Sequence, residues 1–260
     1  MITSTANSRV KRVVQLQEKS KARLAEGVFV AEGIKMFLEA PLEQIEEVYL
    51  TEALAGRNPE VLGKVRQCQW EMVTEEIFQR MSDTRTPQGV LCVMKRFHYK
   101  LTDLLKPDAL LVILEDIQDP GNLGTILRTG EGAGITGVIM SRDTVDIYNP
   151  KTIRSTMGSL YRMPFVYTEN LGETIEKVKR SGITVYAAHL KGKKDYDACD
   201  YTQASAFLIG NEGNGLTDVT AAMADTYIRI PMAGQVESLN AAVATSILMY
   251  EAARRRRMEW

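Results

Sequence analysis

The chain has 260 residues, 45% of them hydrophobic and 25% charged, with a formal net charge of −1. That composition fits a folded protein of one large or two ordinary domains and excludes disordered, collagen-like or low-complexity chains. The longest strand-like apolar run, residues 109–114, falls far short of the ~20 residues a membrane-spanning helix needs. The opening residues lack the apolar core and small-residue cleavage site of a secretory signal, so a cytoplasmic setting is expected. Cys68, Cys92 and Cys199 are an odd number with no close pair, which argues against a disulfide framework and against a cysteine-rich zinc site. The two histidines, His98 and His189, have no partner at metal-ligand spacing. Neither a metal nor a catalytic histidine is expected.

The near-zero net charge gives no whole-molecule attraction to a polyanion, so the distribution of charge matters more than its sum. Residues 9–23 carry Arg9, Lys11, Arg12, Lys19, Lys21 and Arg23 against one acid, Glu18, and Arg254, Arg255, Arg256 and Arg257 lie near the other end. Such clusters suit phosphate binding. They suit solvated helix faces equally well. Charge alone leaves both readings open.

In chain order, residues 1–97 read as a small α/β unit. Helices are predicted over 9–19, 33–40, 60–68 and 75–81, and strands over 28–32, 47–50, 70–73 and 89–96. Residues 98–108 are polar and contain Pro107, which reads as a linker. From residue 109 the pattern becomes a regular alternation. Strands are predicted at 109–115, 137–140, 165–168, 184–188, 206–210 and 227–230. Helices fall at 126–134, 151–160, 171–180, 216–223 and 240–257. Short, continuously apolar strands between helices predict a parallel sheet covered on both faces, with ligands at the carboxyl ends of its strands.

Gly132, Gly134 and Gly137 spell a formal G-x-G-x-x-G. A dinucleotide fingerprint must follow a strand and open a helix. Here the glycines end a helix and open a strand, which is the pattern of a helix C-cap followed by a tight turn. The order disfavours a nicotinamide-dependent enzyme. The strand ends are richer. Asp119, Pro120, Gly121 and Asn122 follow the first apolar strand, with Arg128 in the next helix. Gly210, Asn211, Glu212, Gly213 and Gly215 follow a second. Pro231, Met232, Gly234, Ser238 and Asn240 follow a third, and Ser238 is placed to cap the last helix. One such stretch could be a mere connection. Three at the same end of one sheet, each with polar side chains, point to a site.

These three segments resemble the three motifs of the SpoU (TrmH) family of RNA 2′-O-ribose methyltransferases. Asn122, Gly124, Arg128 and Thr129 match the first motif, and Gly210, Glu212 and Gly215 match the second. The third is matched by Ile230, Pro231, Met232, Ser238, Leu239, Asn240, Ala241, Ala242 and Ala244. Residues 151–165 are also typical of the family, and no motif position departs from the pattern. The resemblance covers most of residues 109–257, within a catalytic domain assigned to 109–260. It implies a SPOUT α/β fold with a deep trefoil knot, S-adenosyl-L-methionine as cofactor, and a homodimer. Residues 1–97 resemble, more loosely, the ribosomal-protein-like RNA-binding domain of rRNA-modifying members. Ribosomal RNA, most simply 23S rRNA, is then the expected substrate. Transfer RNA, or non-catalytic rRNA binding on the same fold, is the alternative.

The resemblance also implies roles. Gly210, Asn211, Ile230, Met232, Leu239 and Ala241 would hold the cofactor, with glycine at 210 allowing close approach. Arg128, Asn122, Glu212, Ser238 and Asn240 form the implied catalytic set. An arginine is almost never deprotonated in a protein, so Arg128 is better suited to bind phosphate and stabilise developing alkoxide charge than to act as a base. Glu212 is expected to hold its guanidinium in a bidentate pair, with Asn122 positioning Arg128 or the ribose. Ser238 and Asn240 would orient the substrate and the motif loops. Arg154 and Ser155 could face RNA or a partner subunit, or simply line a solvated helix. The aromatic residues are scattered at core-like spacing and show no base-stacking pattern.

Overall fold

The structure, a computed structural model, describes residues 1–257. The chain forms two compact units, Met1–Phe97 with Asp146–Tyr161, and His98–Val145 with the chain from Arg162 onward.

The first unit is built on four strands, β1 (Val28–Glu32), β2 (Ile45–Thr51), β3 (Trp70–Val73) and β4 (Val90–Lys95), in the order β1-β4-β2-β3. β4 is antiparallel to both neighbours and β2 is parallel to β3. The Ser8–Glu18 helix covers this sheet through Val10, Val13 and Leu16, one face of a 3.6-residue period, against Val28, Val30 and Tyr49. Asn7 starts that helix by accepting from the Arg9 N–H at 2.9 Å. Asp146–Tyr161 packs into the same unit. Tyr148 is buried with its ring 4.6 Å from that of Phe29, and the Tyr161 hydroxyl donates to the Met36 carbonyl at 3.0 Å. The sequence reading gave residues 109–260 to one domain. Within that span, Asp146–Tyr161 packs with the first unit, where its two tyrosines are buried.

The arginines of the N-terminal basic cluster are engaged within the fold. Arg9 pairs with Glu47 and Glu71, and Arg12 with Glu26 and Glu46. Arg23 is buried, with Asp146 at 2.7 Å and the Leu16 carbonyl at 2.8 Å. These three arginines are structural ties. Arg154 is likewise engaged, with Asp83 at 2.6 Å, and the Ser155 hydroxyl donates to the Lys151 carbonyl.

The second unit holds seven strands. β5 (Leu110–Leu114), β6 (Gly137–Ser141), β7 (Phe165–Thr168), β8 (Thr184–Ala188), β9 (Lys194–Asp195), β10 (Ser205–Ile209) and β11 (Thr226–Arg229) lie in the order β7-β6-β5-β10-β8-β11-β9. All neighbours are parallel. Every residue of β5, β6 and β10 is buried, as a sheet covered on both faces requires. Residues 98–108, expected as a linker, instead contribute to this core. The Leu101–Leu104 helix buries Leu104 completely, and Gly137 leaves room for it, since a Cβ there would lie 2.6 Å from that leucine. As predicted, Gly134 (φ +78°) ends the Pro120–Ala133 helix in the left-handed conformation.

The Ala241–Arg257 helix packs along Pro120–Ala133, with Met249 facing Gly130. Its arginine run does not form a free basic tail. Arg254 and Arg255 hold Glu251, and Arg255 also donates to the Asp197 carbonyl. Arg256 donates to the carbonyls of Asp108, Ala109, Tyr201 and Gln203 at 2.8–3.0 Å, stapling the chain at the start of β5 to the approach to β10. Arg256→Ala strands those acceptors, and a loss of about 2 kcal/mol is expected in the urea-unfolding free energy. A variant as stable as the wild type would remove this stapling role.

Candidate functional site

Three loops at the carboxyl end of the parallel sheet are joined through one carboxylate and two asparagines. After β5 the chain turns through Asp116, a non-glycine residue at φ +56°. Its N–H donates to the Ser141 hydroxyl at 2.8 Å, and its carbonyl accepts from the Asn211 side chain at 2.7 Å. Aspartate tolerates that left-handed conformation better than most residues. Asp119 then caps the Pro120–Ala133 helix, accepting from the Asn122 N–H at 2.8 Å, with Pro120 in the first turn where no N–H is needed.

Glu212, in the loop after β10, reaches across to this segment. Its carboxylate accepts from the backbone N–H groups of Gln118 and Asp119, both at 3.0 Å, and from Asn122 Nδ2 at 2.9 Å. Asn122 Oδ1 in turn accepts from Asn240 Nδ2 at 2.9 Å. Asn240 Oδ1 accepts from the N–H groups of Ala242 and Val243. One chain of hydrogen bonds, Asn240 to Asn122 to Glu212, therefore locks the three motif loops together.

This geometry corrects three expectations. Glu212 does not pair with Arg128, because its oxygens are committed to the 118–122 segment. Arg128 stands exposed on the Pro120–Ala133 helix without a hydrogen-bond or ion-pair partner among the described residues. Asn240, not Ser238, caps the last helix, which begins at Ala241; Ser238 is exposed two residues before the cap. The need for glycine at 210 is internal. A Cβ there would lie 2.1 Å from Gly215 C and Leu216 N, because the 211–215 turn folds back over it. That turn is closed by the Asn211 N–H to Gly215 carbonyl bond (3.1 Å) and its reciprocal (2.9 Å).

The sequence reading passed over Glu115, the buried last residue before the first loop. Its carboxylate accepts from the Thr217 N–H and hydroxyl, both at 2.8 Å, and from the Thr220 hydroxyl. It anchors the far end of the Glu212 loop. An acid directly after a buried strand was the available signal, but its partners lie about a hundred residues away.

Burial pushes the Glu212 carboxyl up, but the Asn122, Gln118 and Asp119 donors outweigh it and hold the group below the usual carboxylate range. A carboxyl depressed in the folded state stabilises above its unfolded value of ~4.3, and that contribution is lost as pH falls through the lower folded value. Glu212→Gln is therefore expected to lower the urea midpoint at pH 7 and to flatten its fall between about pH 5 and 3. An unchanged acid limb would show that Glu212 does not carry this linkage.

The remaining motif residues lie in or next to the same segments of chain, after β10 and β11 and at the start of the last helix. Gly210 and Ala241 are buried, and Asn211, Ile230, Met232 and Leu239 are half-buried. Among the described residues, the backbone N–H and C=O groups of 231–239 make no hydrogen bonds with one another or with the rest of the chain. Open peptide groups flanked by half-buried apolar side chains suit a ligand with an apolar, hydrogen-bonding ring such as adenine. The residues present thus fit S-adenosylmethionine. No group of three or more metal-ligating side chains occurs among the described residues, and no described helix is long and apolar enough to cross a membrane.

Comparison with known proteins agrees with this arrangement. The model of the SpoU rRNA methylase family matches residues 109–250. The chain belongs to that family. Residues 7–92 match the MRM3-like substrate binding domain. The chain is 33% identical over 251 residues, 96% of its own length and 97% of the relative's, to the 23S rRNA (guanosine(2553)-2′-O)-methyltransferase of Bacillus subtilis. An AdoMet-bound rRNA methyltransferase from Sinorhizobium meliloti superposes with TM-score 0.86 at 32% identity, over 97% of each chain. The SpoU methyltransferase AviRb from Streptomyces viridochromogenes, in complex with AdoMet, gives TM-score 0.87 at 26% identity, over 96% and 98% of the two chains. This SpoU-family chain is an S-adenosylmethionine-dependent RNA methyltransferase with the SPOUT fold.

Proposed function

We propose that the protein methylates a ribose 2′-hydroxyl of 23S ribosomal RNA. The observation that carries the reading is the Asn240–Asn122–Glu212 lock, which fixes all three motif loops and leaves Arg128 uncommitted beside them. The relatives' names point to 23S rRNA over transfer RNA, and the match of residues 7–92 to a substrate-binding domain supports a large RNA substrate.

The cofactor supplies an electrophilic methyl group on its sulfonium; the chain supplies orientation and charge. Gly210, Asn211, Ile230, Met232, Leu239 and Ala241 border the space where it would sit. Arg128 binds the phosphate next to the target ribose and stabilises the negative charge that grows on the 2′-oxygen. Asn122 and Asn240 keep the loops in register, and Ser238, exposed beside them, contacts the ribose. Glu212 acts through these loops and does not take the proton, since its oxygens accept three N–H groups; the 2′-hydroxyl proton passes to solvent water as the methyl group is transferred.

The reading includes the trefoil knot and the homodimer that the family resemblance implies. The last helix begins at the motif loops and runs along Pro120–Ala133, and its Val243 and Tyr250 are exposed apolar side chains suited to a second copy. A cytoplasmic location accords with this substrate. The test is transfer of labelled methyl from S-adenosylmethionine into bacterial rRNA. The expected label survives in an alkali-resistant dinucleotide of 23S rRNA, because a methylated 2′-oxygen cannot attack the adjacent phosphodiester. Label confined to transfer RNA, or none, overturns the reading.

A further inference from the structure

The pairing of its cations separates structural basic residues from available ones. Arg9, Arg12 and Arg23 at one end, and Arg254, Arg255 and Arg256 at the other, are bound to carboxylates or carbonyls within the fold. Lys191, Lys193 and Lys194 behave differently. All three are exposed, and none of their side-chain ammonium groups has a hydrogen-bond or ion-pair partner among the described residues.

They sit on a built edge. The segment leaves the carboxyl end of β8 and is pinned at once, with the His189 N–H donating to the Ile228 carbonyl at 2.9 Å and the His189 ring tilted against that of Tyr227, 5.2 Å between centroids. Gly192 is buried against β11, where a Cβ would lie 2.7 Å from Ile228 C. Lys194 and Asp195 then form β9, in register with Ile228 and Arg229. The buried glycine thus turns the lysines on either side outward. Two of the nearby acids have partners at their carboxylates. Asp195 is held by Arg229 at 2.7 Å, and the Asp200 carboxylate accepts from the Thr202 N–H at 2.9 Å. Asp197 is exposed, with Arg255 on its carbonyl and the positive charge of Arg254 nearby.

Position gives the patch its meaning. β8 lies between β10 and β11, whose carboxyl-end loops carry Glu212 and residues 231–240. β9 is three strands from β10, so at ~4.8 Å per strand Lys194 stands about 14 Å to the side of the Gly210 loop, with Lys191 and Lys193 on the connection that leads to it from β8. We propose that Lys191, Lys193 and Lys194 form a phosphate-binding edge that holds the RNA backbone a few nucleotides from the ribose in the site. The edge carries no base-reading group, so it contributes affinity and register and not sequence choice. This rests on the reading of the chain as an RNA methyltransferase.

The test uses the full-length protein and a 23S rRNA transcript. The triple variant Lys191→Ala, Lys193→Ala, Lys194→Ala is compared with wild type for RNA affinity across a salt series, for S-adenosylmethionine affinity, and for KM and kcat. Each phosphate that the variant no longer neutralises reduces the slope of log affinity against log salt by about 0.7–0.9, so a decrease of about 2 to 3 is expected. KM for RNA should rise, while kcat at saturating RNA and cofactor affinity stay at wild-type values. The matching triple arginine variant should restore the slope. An unchanged slope and KM in the alanine variant overturns the proposal while leaving the methyltransferase reading intact. A wild-type protein that neither binds nor methylates the transcript overturns both.

Discussion

Arg128→Ala is expected to reduce methyl transfer by about 10²–10³-fold, the usual cost of deleting one preorganised charge that faces a developing oxyanion. S-adenosylmethionine affinity and the unfolding midpoint should stay at wild-type values. The stability half of this expectation comes directly from the geometry. Arg128 is exposed and makes no hydrogen bond or ion pair among the described residues, so its removal strands no buried partner. Surface changes of that kind shift stability by no more than about 0.5 kcal/mol. Arg128→Lys separates charge from shape, because an ammonium keeps the positive charge but loses the planar fork that grips a phosphate at two points. It should retain an intermediate activity. Full turnover by Arg128→Ala, measured with the alkali-resistance assay, would remove Arg128 from the reaction. A variant that had also lost cofactor binding would instead place Arg128 in the scaffold.

The same geometry separates what local sequence could reveal from what it could not. The parallel sheet was readable because β5, β6 and β10 are buried on both faces, which leaves short unbroken apolar runs. The helix-ending role of Gly134 was readable because a C-cap depends on neighbours only a few residues away. Partnerships across long sequence distances were not. The Arg12 guanidinium meets Glu46, Arg23 meets Asp146, and Arg256 reaches carbonyls next to two separate strands. All three belong to runs that look like free charge when read along the chain. Glu212 failed in the same way. The expected partner was the nearest motif cation, whereas the carboxylate is consumed by backbone N–H groups that no side-chain pattern displays. Ser238 is a good capping residue by type, but Asn240 is the one adjacent to the first helical residue and also reaches Asn122. The free lysines at 191, 193 and 194 were overlooked for the opposite reason. With Asp195, Asp197 and Asp200 close behind them in sequence, the segment looks balanced until the structure shows Asp195 held by Arg229 and Asp200 by the Thr202 N–H.

Gly210→Ala should be the most damaging small substitution in the second unit. The added methyl would lie 2.1 Å from two backbone atoms and 2.4 Å from the Gly215 carbonyl oxygen, so no flexible side chain can yield. The turn at 211–215 must open, and its closing hydrogen bonds, together with the Asn211 bond to Asp116, are strained with it. Opening also carries Thr217 away from Glu115 and Glu212 away from Gln118 and Asp119. Overpacking costs of this kind start at about 1–3 kcal/mol, and a rigid backbone contact puts this one at the upper end, about 3 kcal/mol. Urea unfolding measures that loss. The accompanying loss of cofactor affinity is read by calorimetric titration with S-adenosylmethionine. Gly213→Ala is the internal control. There a Cβ meets only the Asn211 side-chain oxygen, at an ordinary 3.5 Å, so both stability and affinity should be kept. If Gly210→Ala proved as harmless as Gly213→Ala, the turn would not depend on the close crossing at 210. If instead Gly210→Ala kept its stability and lost only cofactor affinity, the glycine would be serving the ligand and not the fold.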